Sequence, residues 1–141
     1  MVASLNILAL DVGERRVGTA MANSISRLSS PLRTLTQDDS IITSIQDIIN
    51  KENIGVLVIG LPQNLSGQDT DQTRYVREFS DKLHAIVKVP VFFEDEALSS
   101  VRARKTLDDS KKPYQKGDVD SLAACYILDD FIANHPEVVN V

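Results

Sequence analysis

Three carboxylates stand where a carboxylate is costly. Asp11 closes the apolar run of "NILALDVGERRVGTAMAN" (residues 6–23), and two-residue strand alternation puts it on one face with Ile7 and Ala9. Glu96 ends the triplet "EDE" behind the apolar "VFF" of residues 91–93, where a strand delivers side chains to the sheet edge that α/β folds use for ligands. Asp120 falls in the first turn of a helical segment, on the apolar side that carries Ala124, Ile127 and Phe131. Each acid has an ordinary explanation. Asp11 could accept turn amides, Glu96 could be a solvated loop acid, and Asp120 could favour its helix dipole by about 0.3–1 kcal/mol. As a set they suit something else, because hard divalent cations take oxygen-rich ligand clusters. Two such ions about 3.5–4 Å apart activate water and stabilise the leaving oxygen of a phosphodiester. The expected chemistry is phosphodiester hydrolysis with Mg²⁺ or Mn²⁺ as cofactor, the metal held by Asp11, Glu96 and Asp120.

The elements that must position these acids follow from periodicity. Residues 5–10 read as a buried strand, and residues 17–22 as a second one paired to it through the turn at Gly13, where a side chain would obstruct. Residues 28–35, interrupted by Pro31, suit an edge strand. Ile41, Ile45, Ile48 and Ile49 recur at helical spacing behind Asp39 or Ser40 as cap, giving a helix to residue 50. The apolar residues 56–59 make a strand covered on both faces, followed by the polar loop "GLPQNLSGQDTD". Val76, Phe79, Leu83 and Ile86 form one stripe of a helix over 71–87, and residues 89–93 are the next strand. Ser99 can cap a basic helix to residue 109. "SKKPYQKG" then breaks it with Pro113 and Gly117, and a last helix spans 118–134 before Pro136. Strands interleaved with helices predict an α/β fold with a mixed sheet, in a single domain over residues 1–141.

Totals exclude several classes. The chain of 141 residues has no apolar run near the roughly 20 residues of a membrane span. No basic segment followed by an apolar stretch opens it, so a cytoplasmic protein is expected. Its net charge of −5 argues against a general polyanion binder. Nucleic-acid contact must therefore be local or metal-assisted, and residues 101–117 carry Arg102, Arg104, Lys105, Lys111, Lys112 and Lys116. The lone cysteine, Cys125, sits among Ala123, Ala124 and Tyr126 as a small buried helical side chain. His84 and His135 lack ligand spacing and read as surface residues.

The motifs resemble the YqgF or RuvX-like family: "LALDVGERRVGTAMA" its opening motif, "VLVIGLPQNLSG" its Gly-Leu-Pro loop, "FFEDEALSSVRA" its acidic strand end, and "DVDSLAACYILDDFI" its closing helix. The match runs from about residue 5 to 131, with the four motifs in order. It implies an RNase H-like fold, a mixed five-stranded sheet opening with an antiparallel hairpin and covered by helices on both faces. It also implies relation to Holliday-junction resolvases and a nuclease processing the 5′ end of precursor 16S rRNA. The family's acids carry over onto Asp11, Glu96 and Asp120, with Asp95 a substitute or supporting group. Ala97 stands where the family commonly has a basic residue.

Further residues could handle the nucleic acid. Arg15 or Arg16 could take a phosphate in bidentate fashion, and Arg16 fits the family pattern. Asn64 could touch nucleic acid from the loop or merely shape the turn. Lys111, Lys112 and Lys116 could close over an RNA strand while Tyr114 stacks on a base, or the segment could be a solvated linker. The expected partners are precursor rRNA or branched DNA, with ribosomal particles, no membrane, and a monomer or homodimer. Three rivals remain open. A junction resolvase needs two sites on a symmetric dimer. A non-catalytic ribosome-assembly module would keep the fold with a lapsed site. An actin-like nucleotide fold shares the Asp-x-Gly turn but closes two domains around its ligand.

Overall fold

A computed structural model describes residues 4–62, 68–96 and 99–139. Its five strands are β1 (Asn6–Val12), β2 (Arg16–Asn23), β3 (Ser29–Thr36), β4 (Ile54–Pro62) and β5 (Val91–Glu96). The helices are α1 (Ile41–Lys51), α2 (Asp71–His84), α3 (Ser99–Asp109), α4 (Lys116–Asn134) and the short α5 (Pro136–Val139). The strands form one open sheet in the order β3-β2-β1-β4-β5. β1, β2 and β3 pair antiparallel, whereas β4 and β5 run parallel to β1.

The alternation along β1 divides the core in two. Leu8, Leu10 and Val12 point into a large-residue layer with Ile41, Ile45 and Ile48 of α1 and Val76, Phe79 and Leu83 of α2. Ile7 and Ala9 point the other way, joining Ala20, Ala22, Val56 and Val58 under Ala124, Ile127, Leu128 and Phe131 of α4. The second layer is rich in alanine, which lets α4 lie close to the strands. α4 crosses all of them: Gly117 accepts a hydrogen bond from Thr34 of β3 at 2.6 Å, Ile127 lies over Gly60 of β4, and Phe131 meets Phe92 of β5 at a ring separation of 5.6 Å. α3 rests on α4 through Ala103, Val119 and Ala123.

Boundaries differ from the sequence expectation where local capping decides them. α4 starts at Lys116 rather than at residue 118, because Gln115 and Asp118 form a reciprocal capping box; Gly117 is inside the helix. α2 stops at His84, leaving Ile86 exposed, and Thr70 caps its start. β3 continues through Pro31, which an edge strand tolerates at a register shift opposite β2. Ser40 holds the N-cap position of α1, one of the two expected, without a side-chain cap bond of its own, and its amide donates to Asp38. Cys125 is buried, and burial pushes its thiol up to about 11. His135 is no free surface residue: it stacks on Phe131 at 4.4 Å. Among the described residues no helix is long and apolar enough to cross a membrane.

Candidate active site

Asp11 lies at the end of β1, and its cross-strand neighbour in β2 is Gly18. A Cβ on Gly18 would overlap the Asp120 carbonyl. Asp120 lies in the second turn of α4 rather than the first, because the helix starts at Lys116, and only glycine lets that turn reach the sheet, so Gly18 sets the height of Asp120 above Asp11. Parity then decides between the acids of β5. Phe92 and Glu94 face α4, through Phe131 and Asn134, so Glu96 shares that face while Asp95 is turned away with Phe93. Asp11, Glu96 and Asp120 consequently line one cleft of about 250 Å³, together with Gly13, Pro62, Gln72, Ser100 and Val101. Larger hollows elsewhere, such as one of about 390 Å³ at Leu32, Arg33, Ile48 and Lys51, bring no such trio together.

Electrostatics mark Asp11 as the centre. Desolvation, with the Asp120 and Glu96 carboxylates beside it, pushes its carboxyl up from 3.8 to about 7. Like charges gathered without a full counter-charge are what a hard cation would relieve, and the oxygen donors suit Mg²⁺ or Mn²⁺. Among the described residues, however, no three acids, histidines or cysteines stand in metal-ligating geometry. Two of the three acids are engaged with the protein instead. The Asp120 carboxylate receives Arg16 Nε at 2.6 Å. Glu96 accepts from the Ser99 backbone N–H, so the acid caps α3, a task the sequence assigned to the Ser99 hydroxyl. That hydroxyl is buried, with no hydrogen-bond partner among the described residues.

The substrate-binding candidates scatter. Arg16 is at the cleft but paired to Asp120. Arg15 is exposed in the β1–β2 turn, where its carbonyl accepts from Gln37. Lys111 and Lys112 are exposed between α3 and α4, and Lys116 is exposed as the first residue of α4. Tyr114 departs from the expected free stacking ring: it packs partly buried on the α3–α4 cluster and its hydroxyl donates to Asp108. The linker is an ordered turn, with Lys111 at φ 57° closing α3. Asn64 and Ala97 lie outside the described residues. Two residues went unnoticed in the sequence: Gly18, detectable only as a small residue opposite the acid, and Gln72, which donates to the Val12 carbonyl at 3.2 Å beside the cleft.

A family model described as "RuvX: Holliday junction resolvase" matches residues 5–134. The chain belongs to the RuvX family. A Sulfurihydrogenibium relative named "Putative pre-16S rRNA nuclease" is 36% identical over 128 residues, covering 89% of this chain and 88% of its own length. A Roseiflexus relative of the same name is 37% identical over 130 residues, covering 89% and 92%. Among solved structures, Thermus thermophilus RuvC in complex with a Holliday junction substrate superposes at a TM-score of 0.57 with 11% identity, covering 94% of this chain and 96% of that one. The fowlpox virus Holliday junction resolvase gives 0.55 with 14% identity, covering 92% and 99%. This RuvX chain therefore has the RNase H-like fold of the resolvases, with a mixed, open five-stranded sheet and helices on both faces.

Proposed function

We propose that this chain is a divalent-cation-dependent nuclease, a single catalytic domain working in the cytoplasm on the 5′ end of precursor 16S rRNA. The observation that carries this is the meeting of Asp11, Glu96 and Asp120 around one cleft on one side of the sheet, from three remote parts of the sequence. Mg²⁺ or Mn²⁺ held by these three carboxylates, one ion or a pair, supplies water activation and neutralises charge at the phosphate. The protein's own part is positional. Asp11, partly desolvated on the sheet, offers an oxygen in a low-dielectric site; Asp120 is set by α4 against Gly18; Glu96 closes the third side from β5. Arg15, Lys111, Lys112 and Lys116 are exposed cations that attract backbone phosphates, and Asn64, outside the described residues, is a proposed nucleic-acid contact. The RNA substrate is taken from the names of the relatives at 36–37% identity.

A second reading, resolution of branched DNA, is favoured by the description of the matching family model. One experiment treats both. The purified protein, with Mg²⁺ or Mn²⁺, is given a precursor 16S rRNA fragment and a four-way DNA junction, and cut positions are mapped. Metal-dependent cleavage of the RNA is expected, reduced on the order of 10²- to 10⁴-fold in Asp11→Asn with the fold intact. Equal cleavage by wild type and a folded Asp11→Asn protein rejects the site, and preferential symmetric cutting of the junction selects the second reading.

A further inference from the structure

Against Asp120 the chain supplies a cation of its own. Arg16 Nε stands 2.6 Å from Asp120 Oδ2, joining residues 104 positions apart. The backbones at both ends are fixed. Arg16 opens β2 opposite Thr36, and its carbonyl accepts from the Gly13 amide at 2.9 Å; the Asp120 carbonyl is lodged against Gly18. Neither partner can withdraw by moving its element, whereas the Arg16 side chain, 37% exposed, has solvent on one side into which it can swing. The contact uses Nε, one of five guanidinium donors, and a planar fork of that kind also fits phosphate oxygens. Charge sets the direction of exchange. Among the described residues one paired cation, Arg16, stands against the three acids of the cleft, which stays negative, and a divalent cation beside the same carboxylate would repel the guanidinium.

We propose that Arg16 is a resident counter-cation for Asp120, holding that carboxylate while no divalent cation is bound and releasing it on cation entry, whereupon the guanidinium takes a phosphate oxygen of the nucleic-acid strand. The inference rests on the nuclease reading above. It makes Arg16 a competitor of the metal as well as a substrate contact, a positioning residue whose removal tightens one ligand and loosens another. A purely structural ion pair would leave the affinity for the strand unchanged.

The test is isothermal titration of the full chain with Mn²⁺ alone, for wild type, Arg16→Met and Arg16→Lys, alongside circular dichroism. Arg16→Met should bind Mn²⁺ about tenfold more tightly, equivalent to one decade of Kd, with Arg16→Lys in between. At saturating Mn²⁺, Arg16→Met should show a raised KM for a short single-stranded RNA. A folded Arg16→Met protein that binds Mn²⁺ no more tightly than wild type overturns the exchange while leaving the nuclease reading standing. Wild type that binds no Mn²⁺ overturns both. Should Arg16→Met fail to fold, Arg16→Gln removes the same charge and carries the same expectation.

Discussion

α4 meets an acid of the sheet at each end, and the two ends treat it oppositely. At the C-terminal end Glu94 is 5% exposed, receives Asn134 Nδ2 at 2.7 Å and has His135 Nδ1 3.9 Å away. At the N-terminal end Asp11 is met by two further carboxylates. Glu94 and Glu96 are two residues apart on one face of one strand, yet only Glu96 lines the cleft. Burial alone therefore does not mark a functional acid. The distinguishing feature is whether the neighbours are donors, which satisfy the carboxylate, or acids, which leave the site short of positive charge.

The largest expected effect comes from closing the space that brings Asp120 to Asp11. Gly18→Val should force α4 off the sheet, lowering stability by about 3 kcal/mol or more in urea denaturation and abolishing cleavage. If the variant is as stable and active as wild type, the height of α4 does not set the site.

Next is pH. The Asp11 carboxyl has a folded-state value of about 7 against 3.8 when solvated, so the folded state binds its proton more tightly than the unfolded one. Stability should then fall as pH rises from about 4 to about 7 and level off above. Without divalent cation, Asp11→Asn should exceed wild type at pH 8 by about 1–3 kcal/mol, the full shift being discounted for the carboxyl's partial exposure, and match it near pH 4. Excess Mg²⁺ should shrink the gap by stabilising only the wild type. A gap independent of pH would dissociate Asp11 from the charge cluster.

The smallest effect separates the two ends of the helix directly. Glu94→Gln keeps an acceptor for Asn134, and should cost about 1 kcal/mol while leaving cleavage within about twofold. Glu96→Gln should do the reverse, sparing stability and removing most activity. Equal loss of activity in both would erase the distinction drawn from their neighbours.

Elements with strong periodicity could be read from the chain: the β1–β2 hairpin, the isoleucine stripe of α1, and the Ala124, Ile127, Phe131 face that carries Asp120 inward. That Asp11, Glu96 and Asp120 line one cleft was legible because strand parity and helix offsets are local rules. What escaped depends on contacts between remote residues. The Arg16 pairing joins β2 to α4, and the space above Gly18 depends on where α4 crosses. The capping of α3 by Glu96 replaced a plausible serine cap with a side chain three residues upstream. Tyr114 read as free because its linker is polar, but the Ala103, Val119 and Ala123 cluster offers its ring an apolar seat.

Glu96 serves two masters: its Oε1 accepts from the Ser99 amide, while Oε2 takes no part in that bond. A ligand that pulls on this carboxylate pulls on the acceptor of the opening turn of α3, whose Ser100 and Val101 wall the cleft. That one hydrogen bond ties the cleft to its wall, and the exchange rate of the Ser99 backbone proton is the local measure of whether filling the cleft disturbs it.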